Sequence, residues 1–345
     1  MGKIRTAVSG LGRIGWVYHL PQLLKHPEFE LTAVSDPVTE RLDEVKTLSP
    51  AVKCYTSYDE MLEHENVDLA VIASPTTFHA GQIMTAFRHG VDVFCEKPLA
   101  ADLNEVEKLL AAVKDSGRKL MVYQPRRLDD DCRQAREIIS SGVLGTLHLI
   151  RRNIRNFARR NDWQALKCYA GGMLNNYGVH YLDQLCFTAG FDFECEYCEL
   201  RKVNAAGDAE DCVRIILRNA AGVTGEVDIS QSCAFPANDW LLEGNRGTAM
   251  YSSATKTWQI RYFLPGELKE TCMQTTLAAD GRRYPHDRIA WHENFEFTAP
   301  PESDFYDNLC GYLRGGNLPL VKIKETGKIM RLLDKARKLD EVRRG

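Results

Sequence analysis

Gly10, Gly12 and Gly15 in GLGRIG stand directly after a short apolar run, IRTAV, and at the mouth of a helical pattern. In that setting the first glycine permits a tight turn, the second lets backbone approach a pyrophosphate, and the third lets helix and strand pack closely. The helix N terminus adds free N–H groups for the phosphates, so Leu11, Arg13 and Ile14 join the glycines as expected cofactor contacts. About 20 residues further on, Asp36 ends the second strand pattern, where a carboxylate accepts from the adenosine ribose hydroxyls and repels a 2′-phosphate. NAD is therefore expected ahead of NADP, with Arg41 close enough to leave a 2′-phosphate open. A structural turn and a surface aspartate are the plainer readings, and strand, turn, helix and acid at one joint spacing argue against them.

Two further side chains have types suited to proton and oxyanion chemistry. Lys97, in VDVFCEKP, falls at the carboxyl end of a strand pattern, the edge where open α/β sheets bind ligands. A desolvated ammonium there would hold a substrate oxygen and stabilise alkoxide character; taken alone it is a solvated lysine. Pro98 fixes the backbone just after it. His180 follows Gly171 and Gly172 on an apolar helical stretch, and an imidazole with an ordinary pKa of about 6.5 suits the taking and returning of a hydroxyl proton. A buried histidine satisfied by hydrogen bonds is the alternative, and it is the reading adopted for the other histidines, His79 excepted. Asp183 lies on nearly the same helical face and is expected either to reach the same sugar or to remain a surface residue. Tyr123, Arg126, Arg155, Trp163 and Tyr177 are candidates for the pocket wall, since aromatics stack on sugar rings and arginines donate to hydroxyls, although each is also ordinary packing or surface.

The elements that must position these residues alternate. Strand patterns at IRTAV, ELTAVSD, VDLAVIASP, VDVFCEKP and KLMVYQ are separated by helical patterns over Ile14 to Leu24, Thr39 to Leu48, Thr77 to His89 and Asp102 to Ser116. Near-continuous apolar strands between amphipathic helices require a parallel sheet covered on both faces. Asp102 and Glu105 resemble a capping box, and Gly117 ends that helix. Beyond Tyr123 come a helix over Asp131 to Ser141, a long alternating strand in GTLHLIRRNIRN, an apolar helix from Met173 to Ala189, and then strands from ECEYCELRKV to TWQIRYFL at turn-punctuated spacing. A final helical pair, Ser303 to Leu313 and Lys324 to Val342, could pack back on the first domain. The fold class expected is α/β: a Rossmann dinucleotide-binding domain over 1–125, then an α+β domain over 126–345 with an open mixed, mostly antiparallel sheet.

With 345 residues the chain is long enough for two cores, and 44 basic against 47 acidic residues leave a net charge of −3. No nucleic acid or anionic membrane is expected as partner. No stretch approaches the roughly 18 apolar residues of a membrane span, and charges and glycines occupy the place of a signal sequence, so a cytoplasmic location is expected. The 11 cysteines are read as reduced thiols. Cys195 and Cys198 form a C-x-x-C in a strand pattern without partner ligands, and no metal is expected.

GLGRIG, the segment Ser74-Pro75-Thr76-Thr77-Phe78-His79, Glu96-Lys97-Pro98 and the run Asn176-Tyr177-Gly178-Val179-His180-Tyr181-Leu182-Asp183 together resemble the glucose-fructose oxidoreductase, inositol dehydrogenase and MocA family. The resemblance implies hydride transfer at a secondary alcohol of a sugar or polyol, with Lys97 holding the reacting oxygen and His180 as general acid/base. It implies that Ser74, Pro75, Thr76, His79, Glu96, Lys97 and Gln124 line the cofactor, and that a homodimer or homotetramer forms through the second-domain sheet. The sequence departs from the family at Asn176, where the family has Asp. An amide orients a hydroxyl but cannot accept a proton or balance an imidazolium. His180 working alone, Lys97 sharing the proton, a glycoside-processing cycle of oxidation and re-reduction, and a non-catalytic dinucleotide and sugar sensor all stay open.

Overall fold

The computed structural model describes residues 2–268, 273, 286, 288–299 and 304–344. The first half runs β1 (Ile4–Ser9), α1 (Leu20–Lys25), β2 (Phe29–Ser35), α2 (Thr39–Leu48), β3 (Lys53–Tyr55), α3 (Tyr58–His64), β4 (Leu69–Ile72), α4 (Thr76–Arg88), β5 (Asp92–Glu96), α5 (Leu103–Ser116) and β6 (Leu120–Tyr123). Its sheet has the order β3-β2-β1-β4-β5-β6, with every neighbouring pair parallel. Helices cover both faces, which is why all of Leu69–Ile72 is buried and why these strands read as unbroken apolar runs. The order reverses between β1 and β4, and at that switch point the carboxyl ends of the strands open a crevice for a ligand.

The second half runs α6 (Asp130–Ser141), β7 (Leu147–Arg155), α7 (Val179–Ala189), β8 (Glu194–Arg201), β9 (Cys212–Arg218), β10 (Thr224–Ser230), β11 (Trp240–Gly244), β12 (Gly247–Ser252), β13 (Thr257–Tyr262), α8 (Phe305–Leu313) and α9 (Ile323–Arg344). Its sheet is β13-β12-β11-β7-β10-β9-β8, parallel only between β7 and β10. Helix α7 packs on β7 and β10, so Gly225, Val227 and Ile229 face inward and Glu226 and Asp228 face away. That outer face carries the ion pairs Arg151–Glu226, at 2.6 Å, and Arg155–Asp228, among the half-buried Leu149, Ile216, Leu241 and Met250. Helix α9 packs against α5 and β6 of the first sheet's layer and against α7 and β8 of the second.

Several local details differ from the expectations. The helix expected over Ile14 to Leu24 opens as a π-helical turn, Gly15–His19, before α1, and the one from Met173 likewise opens as a π turn, Leu174–Gly178, before α7. A π turn inserts one residue without ending the helix, so the apolar pattern runs on while the facing side chains rotate. Strand β3 and helix α3 leave no legible pattern because they span only 3 and 7 residues. Asp102 does cap α5 by accepting from Glu105 N at 2.9 Å, but the Glu105 carboxylate takes the N–H of Ala101, at 3.1 Å, rather than that of the cap residue. Gly117, at φ 64°, ends the helix as expected. A bulge between Cys195 and Tyr197 breaks the alternation of β8, and that turns both thiols of the C-x-x-C inward. The proposed start of the penultimate helix at Ser303 lies outside the described residues.

Candidate active site

The glycine loop carries out the three steric roles the sequence suggests. A Cβ on Gly10, which sits at φ 92°, would lie 2.6 Å from Ser74 N, and one on Gly15 would lie 1.9 Å from the Gly10 carbonyl oxygen. Gly12 has nothing within 4 Å on that side, leaving backbone bare where a diphosphate would approach. Leu11 is buried beneath the loop and donates its N–H to Asp36 at 2.7 Å, while Arg13 and Ile14 are exposed at the rim. The other Asp36 oxygen accepts from Val38 N at 2.9 Å, and Arg41 approaches the carboxylate to 3.2 Å. Open backbone at Gly12 and a carboxylate at the end of β2 fit the dinucleotide that the loop implies.

Across the crevice, the β4–α4 loop is braced from inside. Ser74 donates to Gln82, which donates to Ser9, at 2.6 and 2.9 Å. Pro75 precedes the first turn of α4, and Thr76 is buried. The ring nitrogens of His79 lie 2.9 Å from the carbonyl oxygens of Pro98 and Ser74, and a neutral ring donates to one of them. His79 thus ties the β4 and β5 loops together, with both nitrogens turned from the crevice.

Lys97 follows β5 through a cis bond to Pro98. Its ammonium donates to the main-chain oxygen of Asn176 at 3.1 Å. Burial lowers its pKa, and the nearby charges of Arg126 and Arg160 lower it further, while Glu96 opposes them. His180, on the first turn of α7, is buried, and burial together with the cations of Lys97 and Arg126 pushes its pKa well below the usual value. Its Nδ1 lies 3.0 Å from Gln124 Oε1. An N–H there, donated to the amide oxygen, leaves Nε2 with a free lone pair, the tautomer a proton acceptor requires.

Glu96 and His19 form a second buried group beside the first. One Glu96 oxygen accepts from Lys97 N at 3.2 Å, and the other lies 3.1 Å from His19 Nε2. His19 Nδ1 in turn lies 2.7 Å from the Tyr306 hydroxyl of α8. With Nε2–H donating to the carboxylate and Nδ1 accepting from the phenol, a neutral His19 satisfies both neighbours.

The structure thus brings Lys97, Asn176, His180, Gln124 and Arg126 together, and Tyr177 lies beside Arg126, whose guanidinium stands 5.9 Å from its ring. Trp163 is exposed on a short turn whose next residue, Gln164, accepts from the Asn176 amide at 3.3 Å. Four expectations need correction. Asn176 meets Lys97 through its backbone, and its amide N–H₂ faces the 163–165 turn. Asp183 is buried, with both oxygens on Arg127 at 2.6 and 2.8 Å, because a guanidinium under the helix needs that charge; it does not reach a sugar. Arg155 is on the outer sheet face with Asp228. Tyr123 is interior, stacked on Tyr18 with centroids 4.8 Å apart. Arg160 and Gln164, which the sequence reading passed over, lie in a loop without periodicity and left no signal there.

Two family descriptions match the chain: "Oxidoreductase family, NAD-binding Rossmann fold" over residues 4–124 and "GFO/IDH/MocA C-terminal domain" over residues 132–250. An uncharacterised oxidoreductase of Schizosaccharomyces pombe is 32% identical over 222 residues, 63% of this chain and 60% of that protein, so the match spans about three fifths of that relative's length. The myo-inositol 2-dehydrogenase of Thermotoga maritima is 28% identical over 262 residues, 74% of this chain and 77% of that protein. Among solved structures, an NAD-binding protein from Listeria innocua superimposes with a TM-score of 0.85 at 22% identity, covering 99% of this chain and 96% of its own. The WlbA dehydrogenase from Bordetella pertussis, in complex with NADH and UDP-GlcNAcA, gives 0.78 at 21% identity, covering 98% and 97%. At these identities the structural likeness establishes the fold.

Proposed function

The chain belongs to the Gfo/Idh/MocA family of NAD-binding oxidoreductases, and from that premise we propose that it is an NAD-dependent dehydrogenase acting on a secondary alcohol of a sugar, polyol or glycoside. The observation that carries this reading is the pairing of a half-buried ammonium, Lys97, with a buried imidazole, His180, whose pKa burial and cations lower. NAD, when bound, supplies the acceptor for the hydride.

The residues divide the remaining work. Lys97 holds the reacting hydroxyl and stabilises the negative charge that grows on its oxygen. His180 is neutral at physiological pH, so Nε2 takes the hydroxyl proton during oxidation and returns it during reduction, while Gln124 fixes the tautomer through Nδ1. Asn176 contributes the main-chain oxygen that aims the ammonium. Arg126 adds its charge to the burial and the Lys97 charge that lower the His180 pKa and, with Tyr177 and Trp163, forms the wall against which a sugar would rest. Burial keeps bulk water from His180, and a bound substrate would cover the half-buried Lys97.

NAD is preferred to NADP in this reading, because a carboxylate at the end of β2, here Asp36, would repel a 2′-phosphate, an effect that Arg41 at 3.2 Å partly offsets. The outer sheet face, which no described helix covers, mixes half-buried apolar side chains with ion pairs and supports a homodimer or homotetramer.

The test is absorbance of reduced nicotinamide while the protein and NAD, or NADP, meet a panel of sugars, polyols and glycosides, with Lys97→Ala as control. Turnover with one substrate class that the variant loses supports the reading. Normal turnover in Lys97→Ala overturns it.

A further inference from the structure

A second cavity, of about 530 Å³, opens between the domains and is lined by none of Lys97, His180, Gln124 or Arg126. That volume suits a small organic molecule. Its walls come from the first turn of α4 and the residues before α5 on one side, and from the loop before the second π turn, the end of β8 with the loop after it, and the last turns of α9 on the other. We propose that it is a binding site for a small polyhydroxylated anion, a sugar acid or sugar phosphate.

Arg337 of α9 carries the argument. It is half-buried, and burial lowers its pKa, while the charges of Glu210, Asp334 and Asp102, none of them in ion-pair contact, act in the opposite direction. Its one hydrogen bond among the described residues runs to the neutral Asn175 Oδ1, and no carboxylate there lies within ion-pair distance. The molecule pairs its other interior guanidiniums: Arg127 meets Asp183 and Glu325, at 2.6 and 2.7 Å, and Arg152 meets Asp131 at 3.1 Å. A guanidinium bordering a cavity with no carboxylate in contact can take a carboxylate or phosphate, which fits its planar fork of donors.

The rest of the lining mixes both charges. The ammonium groups of Lys167 and Lys202 have no acceptor among the described residues and border the same space. Five carboxylates share the lining: Asp102 accepts from Glu105 N at 2.9 Å, Asp208 from Lys167 N at 2.8 Å, Glu210 from Leu174 N at 3.0 Å and Asp340 from Leu200 N at 2.9 Å, and Glu341 stands on the exposed side. Their remaining lone pairs can accept from hydroxyls, and with the free donors of Arg337 and the lysines they match a molecule with an anionic head and a polyol body. The site also touches the active centre through one residue. Asn175, which accepts from Arg337, donates to Ala170 O at 2.7 Å and precedes the Asn176 carbonyl that aims Lys97.

The test is calorimetric binding of gluconate, glucuronate, glucose 6-phosphate and inorganic phosphate to the full chain with NAD, using Lys97→Ala to disable the dehydrogenase site. A dissociation constant of about 10 µM to 1 mM for one of the three sugar anions, unchanged by Lys97→Ala, is expected. Adding Arg337→Gln should weaken it about tenfold or more, as loss of a charge-assisted bidentate contact does. Lys202→Ala, at an exposed position that leaves the fold intact, should weaken it severalfold. Binding that Lys97→Ala abolishes and Arg337→Gln spares overturns the proposal. So does binding of none of the sugar anions, or inorganic phosphate binding as tightly as all of them.

Discussion

Two buried histidines lie on either side of the Glu96–Lys97 peptide and have opposite surroundings. His19 has an acid on one nitrogen and a phenol on the other, so each of its hydrogen bonds is filled. His180 has an amide on Nδ1 and cations nearby, which leaves one nitrogen free and its basicity low. The first arrangement holds a structure in place, and the second is able to move a proton. The difference is made by neighbours contributed from other elements, since both imidazoles are buried and both adjoin a π turn.

The sharpest way to break that contrast is His180→Ala, expected to cut kcat by about 10²- to 10⁴-fold, the usual worth of a general acid/base, while reduced cofactor still binds. Steady-state turnover alongside NADH fluorescence would measure both, and retained turnover would remove His180 from the mechanism. His19→Ala should act on stability instead. It strands Glu96 and Tyr306 in the interior, at a cost of about 3 kcal/mol, which thermal unfolding should report as a midpoint lower by roughly 5–10 °C. An effect on kcat as large as that of His180→Ala, with no loss of stability, would erase the distinction.

A third change tests the electrostatics. Because burial and cations lower the His180 pKa, it protonates only well below pH 6.5, so oxidation should stay level from neutrality downward and fall only in more acid solution. Asn176→Asp puts a carboxylate on the residue whose main-chain oxygen aims Lys97, on the side of the 163–165 turn. It should favour the protonated forms of both groups and move the acid limb of kcat/KM upward by about one pH unit. A limb that does not move would show that some other group titrates. The smallest effect expected is from Tyr306→Phe, which removes one donor from His19 and should cost about 1 kcal/mol by denaturant unfolding, with the pH profile unchanged.

How much of this was legible follows from where each signal resides. The parallel sheet was readable because strands covered on both faces carry unbroken apolar runs, and the glycine loop because steric demands at Gly10 and Gly15 leave no other residue type. Lys97 and His180 were placed by their neighbours in sequence, at a strand end and after paired glycines. What pairs across long separations left no local trace: the Asp183–Arg127 ion pair spans 56 positions, and His19 meets Tyr306 across 287. Tyr123 and Arg155 were misplaced for a related reason, since side-chain type alone does not tell an aromatic pocket wall from interior stacking, or a ligand-binding arginine from one in a cross-strand pair.

Helix α9 has a consequence for how the protein is made. It follows every other described element in the chain, yet it spans 22 residues, about 33 Å at helical rise, and it is the piece that touches α5, α7 and β8 together. During synthesis the strands of both sheets therefore leave the ribosome before the helix that touches the layers of both, so the contacts α9 makes with them can form only after those strands have emerged.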